Sequence, residues 1–181
     1  MELFNEAAEA YLEKHTTPED PVLAELNRET HVKMLRPQML SGHVQGKLLQ
    51  FISQMYQPHH ILEIGTYTGY STICLARGLK PEGRIYTIDH NDELKDFTAY
   101  YFQKAGIADR VIPYWQEAME VLPKLDQTFN LVFMDADKRQ YQAYFDAIID
   151  KVPPGGLILA DNVLWYGKVL QNKKDEETQA I

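Results

Sequence analysis

Two aspartates, an asparagine and a lysine are the residues of this chain whose types and spacing best suit chemistry. Asp135-Ala136-Asp137-Lys138 closes one strongly apolar stretch, and Asp161-Asn162 closes the next. As neighbouring strands of a parallel sheet, both stretches would end on the carboxyl edge, where open α/β sheets take their ligands. Asp135, Asp161 and Asn162 then offer two carboxylates and an amide oxygen, hard ligands that suit Mg2+, with Ca2+ and Mn2+ as the other candidates. No His/Cys group has the spacing of a zinc site. Lys138 follows Asp135 by about one helical turn and reaches the same pocket; beside a bound cation its ammonium form is disfavoured, which suits it to accept a proton. Each residue taken alone has a plainer reading: an aspartate after a strand caps a helix, and a lysine is a solvated charge.

A second group lies earlier in the chain. Glu63-Ile64-Gly65-Thr66-Tyr67-Thr68-Gly69 reads as a strand-to-helix turn in which small glycines let backbone amides approach a ligand. It lacks the adjacent G-x-G of a dinucleotide fingerprint, and its acid would repel a phosphate while suiting an ammonium or sulfonium group. That favours S-adenosylmethionine (SAM) over NAD, with a bare tight turn as the alternative. Asp89 follows 26 positions after Glu63 and can accept both hydroxyls of a ribose, or cap the helix that begins near Asp92.

The elements that must position these residues follow from periodicity. Up to about Gln57 the pattern is helical: Leu3, Ala7, Ala10 and Tyr11 recur at helical spacing, Asp20 to Leu35 follows with Pro21 in its first turn, and a helix with Ser41 as N-cap runs to Met55. Strands and helices then alternate. The expected strands are His60–Ile64, Arg84–Asp89, Arg110–Tyr114, Phe129–Asp135 and Leu157–Asp161. The expected helices are Tyr70–Leu79, Asp92–Ala105 (closed by Gly106), Glu117–Leu125 and Arg139–Val152 (stopped by Pro153-Pro154-Gly155-Gly156). Near-continuous apolar strands alternating with helices predict an α/β fold, a mostly parallel sheet covered on both faces. The chain thus reads as one domain over 1–181, a helical cap over 1–57 and a sheet core over 58–181.

With 181 residues, 45% hydrophobic and 24% charged, the composition is that of a globular protein. The formal net charge of -8 gives the long-range field the wrong sign for nonspecific adhesion to nucleic acid or anionic membrane. The one cysteine, Cys74, allows no intrachain disulfide and reads as a buried hydrophobe in a helix. The acidic amphipathic opening MELFNEAAEAYLEKH is not a secretory signal, and no apolar run has the length of a membrane span, so a cytoplasmic setting is expected.

Taken together, MLSGHVQGKLL, ILEIGTYTGYST, IYTIDHN, LVFMDADK and LILADNVLWYGKV resemble the cation-dependent SAM O-methyltransferase family of the catechol and caffeoyl-CoA type, over about Met39 to Val169. The resemblance implies a Rossmann-like methyltransferase sheet and methyl transfer from SAM to a hydroxyl of a catechol-like, phenolic small molecule. It implies Asp135, Asp161 and Asn162 as metal ligands and Lys138 as general base. Met39, Ser41, Glu63, Gly65, Tyr67, Ser71, Asp89, Ala118 and Asp135 would surround SAM, and Trp165 and Tyr166 would line the acceptor pocket. A homodimer is implied on the same ground. Methylation of a hydroxylated tRNA base, as in some bacterial relatives, is the rival substrate; Lys33, Arg36 and Lys47 could form a local basic edge for it. An NAD-dependent oxidoreductase and a non-catalytic relative are the other rivals. The chain departs from the family at Gln116-Glu117, where a glycine is common. It also ends at Ile181, where the family continues into a further helix and a closing β-hairpin; the resemblance therefore predicts a truncated chain or a sheet edge left for a partner.

Overall fold

A computed structural model describes residues 6–172 and 175–181; the expected helical position Leu3 lies outside the described residues. The elements that precede the sheet are helical: α1 (Glu6–His15), α2 (Pro21–Lys33), a 3-10 turn (Pro37–Met39) and α3 (Gly42–Tyr56). There follow β1 (His60–Ile64), α4 (Tyr70–Ala76), β2 (Arg84–Asp89), α5 (Lys95–Lys104), β3 (Val111–Trp115), α6 (Ala118–Val121), β4 (Leu131–Met134), α7 (Tyr141–Ile148), β5 (Leu157–Ala160) and α8 (Glu176–Ala180). The five strands form one parallel sheet in the order β3-β2-β1-β4-β5.

Strand alternation divides the core in two. Ile61, Ile85, Val111, Leu131 and Phe133 point to one face and pack with Leu23, Leu26, Leu49, Ile73 and Leu75 of α2, α3 and α4. Leu62, Ile64, Tyr86, Ile88, Val132 and Met134 point to the other and meet Val121, Tyr141, Tyr144 and Ile148 of α6 and α7. The central strands are mostly apolar on both faces because both are covered, with Glu63 of β1 and Thr87 of β2 the buried polar exceptions. Pro113 sits in β3, an edge strand, where its missing N–H breaks no ladder.

The expected helices are longer than those found, and the breaks have local causes. The stretch Asp92–Ala105 opens as a 3-10 turn (Asp92–Leu94) capped by Asn91, whose side chain accepts from Glu93 N–H at 3.2 Å. Glu117–Leu125 is divided into α6 and a 3-10 turn at Leu122–Lys124, with Pro123 removing the N–H that would continue the helix. Arg139–Val152 is α7 flanked by 3-10 turns at Lys138–Gln140 and Ile149–Lys151. The strand expected over Phe129–Asp135 is Leu131–Met134, that over Leu157–Asp161 stops at Ala160, and that over Arg110–Tyr114 is shifted by one. Ser41 occupies the N-cap position of α3, but it has helical backbone angles and its side chain makes no capping bond. Asp20 does cap α2, accepting from Val22 N–H at 2.8 Å.

α3 and α4 approach closely through small residues. Ser53, fully buried, donates its hydroxyl to the Leu75 carbonyl at 2.6 Å, satisfying a group near the end of α4. A Cβ on Gly78 would overlap the Ser53 backbone, so the chain leaves α4 after Ala76 and passes against α3 without a side chain. Because the obstacle is backbone, relaxation is limited. Gly78→Ala is therefore expected to destabilise the protein by about 1–3 kcal/mol, read as a lower urea midpoint with an unchanged slope.

Candidate active site

One row of the sheet carries the site. Ile88, Ile64, Met134 and Ala160 are aligned across β2, β1, β4 and β5, so the next residue of each strand, Asp89, Gly65, Asp135 and Asp161, forms a line along the carboxyl edge. Backbone bonds continue through that line: Gly65 N–H to the Ile88 carbonyl (2.9 Å), Asp135 N–H to Ile64 (2.8 Å) and Asp161 N–H to Met134 (2.9 Å). The chain thus leaves each strand with its ligand-type residue already fixed by the ladder.

Gly65 and Asp135 meet most closely. Gly65 has φ +107°, and a Cβ there would overlap the Asp135 carbonyl oxygen. Only glycine meets both demands. Tyr67, also left-handed at φ 45°, donates its N–H to Asp89 Oδ2 at 2.7 Å, while Asp89 Oδ1 accepts from Asn91 N–H at 2.9 Å. Asp89 therefore braces the glycine turn and the loop after β2 together. The Tyr67 hydroxyl donates to the Arg36 carbonyl at 3.0 Å, which ties the turn to the segment that carries Met39 and Ser41. Met39 is exposed in the 3-10 turn before α3, Ser41 is half-buried, and Ala118 is buried at the first position of α6.

Glu63 departs from the expectation that its carboxylate faces a ligand. It is fully buried on the β1 face that meets α4, and its oxygens accept from three hydroxyls: Ser71 (2.6 Å), Thr72 (2.5 Å) and Thr87 (2.6 Å). Thr87 also shares a bond with Thr66 of the turn at 2.5 Å. Ser71, likewise expected at the cofactor, is buried with its hydroxyl given to Glu63. The carboxylate acts as a hub behind the glycine turn. Burial pushes its pKa up to about 7 against the pull of the three hydroxyls, with a smaller upward push from Asp135.

At the other end of the row the Asp161 carboxyl lies within hydrogen-bonding reach of Asp135, and burial, then Asp161, raises the pKa of Asp135 against the opposing Lys138 charge. Lys138 is 6% exposed and donates to Asp135 Oδ1 at 2.9 Å and to the Tyr141 hydroxyl at 2.5 Å. Asp137 is turned away: it caps the turn at Lys138–Gln140 and pairs with Arg139. Asn162, next to Asp161, is exposed and left-handed at φ 56°. Trp165 and Tyr166 follow in a turn closed by Trp165 N–H to the Asn162 carbonyl at 2.9 Å; both have positive φ, and Tyr166 is 84% exposed. Trp165 Nε1 is buried with no hydrogen-bond partner among the described residues. Backbone strain of this kind gathers at ligand sites. Asp135, Lys138 and Asp161 are thus brought together, with Asn162 adjacent, and Gly65, Tyr67 and Asp89 are braced beside them. Thr66, Thr72, Thr87 and Tyr141 were not among the residues expected; Tyr141 stands one helical turn after Lys138, the spacing by which it could have been found.

Two expectations follow. Gly65→Ala, strained in φ and blocked by Asp135, should destabilise the protein by about 1–3 kcal/mol and displace Asp135, visible in thermal unfolding and in the amide spectrum of residues 134–137. A raised carboxyl pKa means that the native state holds more protons than the unfolded chain between the ordinary value near 4.5 and about 7. Stability contributed by Glu63 therefore falls as pH rises through that window, by on the order of 3 kcal/mol, and is flat above it. Subtracting the pH–stability curve of Glu63→Gln from that of the unsubstituted protein should isolate this slope, and parallel curves would rule it out.

Comparison with known proteins gives this edge its setting. The sequence pattern of the O-methyltransferase family matches residues 13–181. The catechol O-methyltransferase of Mycobacterium tuberculosis is 35% identical over 173 residues, covering 95% of this chain and 78% of that protein, and that of Niastella koreensis is 36% identical over 162 residues, covering 87% and 72%. Among solved structures, the O-methyltransferase TomG from Streptomyces achromogenes in complex with SAM superposes with a TM-score of 0.89 at 32% identity, covering 96% of this chain and 80% of that one. The O-methyltransferase from Bacillus cereus in complex with SAH gives 0.89 at 33% identity, covering 96% and 81%. The parallel sheet with its flanking helices is the Rossmann-like fold of these proteins, and the chain belongs to the O-methyltransferase family.

Proposed function

We propose that the protein transfers the methyl group of SAM to a hydroxyl of a catechol-like phenol, with a divalent cation held by Asp135, Asp161 and Asn162. The observation that carries this reading is the meeting of the Asp135 and Asp161 carboxyls beside the Lys138 amine, on the same row as the Gly65 turn and Asp89. The SAM and SAH complexes of the two neighbours and the catechol O-methyltransferase relatives support the cofactor and the acceptor class.

The donor set fits a hard cation. Two facing carboxyls, one with its pKa raised by burial and by the other, leave negative charge that the single Lys138 ammonium does not balance, and all the donors are oxygens. Bound there, a divalent ion supplies Lewis acidity that eases loss of a proton from a vicinal diol. The remaining work falls to the chain. The Gly65–Gly69 turn, braced by Asp89 and backed by Glu63, holds the cofactor, and Trp165 and Tyr166 border the acceptor. As the phenolic oxygen forms its bond to the methyl carbon, the carbon–sulfur bond breaks, the sulfonium becomes a neutral thioether, and the hydroxyl proton passes to Lys138 Nζ in its amine form. Positioning can contribute on the order of 7–11 kcal/mol and general base assistance about 10²–10⁴-fold, so loss of a ligand should outweigh loss of the base. The reading takes the protein to be cytoplasmic, the setting expected of a chain whose one cysteine, Cys74, is a buried core residue. Among the described residues no helix is long and apolar enough to cross a membrane.

Calorimetric titration of SAM with and without Mg2+, followed by catechol, tests the proposal. SAM should bind in both conditions and catechol only with the metal; absence of SAM binding in both overturns the reading. Asp161→Ala should lower kcat more than Lys138→Ala, and equal losses would contradict that ranking.

A further inference from the structure

We infer that Tyr141 is a positioning residue: its hydroxyl fixes Lys138 Nζ against the ends of β4 and β5 and keeps it there when Asp135 is engaged by a cation. This rests on the reading of Lys138 as the base.

Lysine carries its charge on a flexible stem, so a lysine held in one place needs more than one partner. Lys138 has two, Asp135 Oδ1 at 2.9 Å and the Tyr141 hydroxyl at 2.5 Å. They are not equivalent. Asp135 is also a proposed metal ligand, and a carboxylate drawn to a divalent ion has less charge to offer an amine. The phenol faces no such competition. Its oxygen accepts from Lys138, while its proton faces two carbonyl oxygens, Met134 at 2.9 Å and Asp161 at 3.1 Å, the last residue of β4 and the first after β5. One hydroxyl therefore ties the amine to both strand ends that deliver the aspartates.

The ring places that hydroxyl. Nζ lies 4.6 Å from the Tyr141 ring centroid and 2.5 Å from its oxygen, so the amine meets the hydroxyl end of the ring and not its face. The ring is buried beside Tyr144, on a helix whose first turn it opens. Its hydroxyl is thus placed by packing that does not depend on ligands.

Tyr141→Phe removes the hydroxyl and keeps the ring. Tyr144→Phe, one turn further along α7, is the control for loss of a buried phenol. The first readout is acylation of lysines in the protein without substrate, followed by peptide mass spectrometry with the exposed Lys33 as internal reference. Lys138 should be protected in the unsubstituted protein and in Tyr144→Phe, and labelled several-fold faster in Tyr141→Phe. The second is steady-state kinetics, where kcat should fall about 10- to 100-fold with KM little changed, the scale for removing a partner that orients an active group. Unchanged labelling of Lys138 in a folded Tyr141→Phe overturns the inference. A third measurement needs no substitution: with saturating Mg2+, Lys138 of the unsubstituted protein should stay protected, and labelling at the rate of Lys33 would overturn the inference even if Tyr141→Phe did not fold. Failure of the methyltransferase reading would be seen separately, as absence of SAM binding, with the labelling result still decisive for the position of Lys138.

Discussion

The register between parallel strands is the constraint on which the rest of this site depends. Because Ile88, Ile64, Met134 and Ala160 are aligned, the residues that follow them are aligned as well, and Asp89, Gly65, Asp135 and Asp161 need no long loops to find each other. A slip of one residue in β4 would turn Phe133 and Met134 to the wrong cores and carry Asp135 back into the sheet. Hydrophobic sorting between the two faces therefore also sets the position of these four residues.

Charge is handled in two ways along that edge. At Glu63 a buried carboxyl is retained and surrounded by hydroxyls from α4 and β2, an arrangement that rigidifies the turn when every member is satisfied. At Asp135 and Asp161 two carboxyls lie close together beside the buried Lys138 amine, the group to which we assign the proposed cation. The first pattern supports the turn and the second is the proposed cation site, although both begin as an acid near the end of an apolar strand.

Much of this was legible in the sequence, and the exceptions share a cause. The strands at His60–Ile64 and Arg84–Asp89 and the place of Asp135 and Asp161 at the carboxyl edge follow from apolar runs and the alternation of elements. Element ends were less legible, because Pro123 and the turns at Asp92–Leu94 and Lys138–Gln140 break helices that the hydrophobic pattern alone would continue. The hydrogen bonding of Glu63 was not legible because its partners come from separate elements: Thr87 lies 24 residues away, and nothing in local spacing announces that its hydroxyl completes the hub. The same holds for the bond between Tyr67 and the Arg36 carbonyl, 31 residues apart. Side chains whose task is set by a neighbour on another strand are read only once the strands are paired.

The order of the strands has a consequence for how the protein comes to exist. Asp89, Gly65, Asp135 and Asp161 lie on four strands whose pairings span most of the chain, with β1 at the centre and β5 at one side. The consecutive units β1-α4-β2 and β4-α7-β5 each bring two of them together, Gly65 with Asp89 and Asp135 with Asp161, but the two halves meet only when β1 pairs with β4, so neither unit alone holds the whole line. Parallel pairings of this kind close late because each requires a crossover. Anything that needed the complete line would thus stabilise only a sheet in which β1 and β4 have paired, by mass action. For a nascent chain, the complete line is a report that its two halves have joined through β1 and β4.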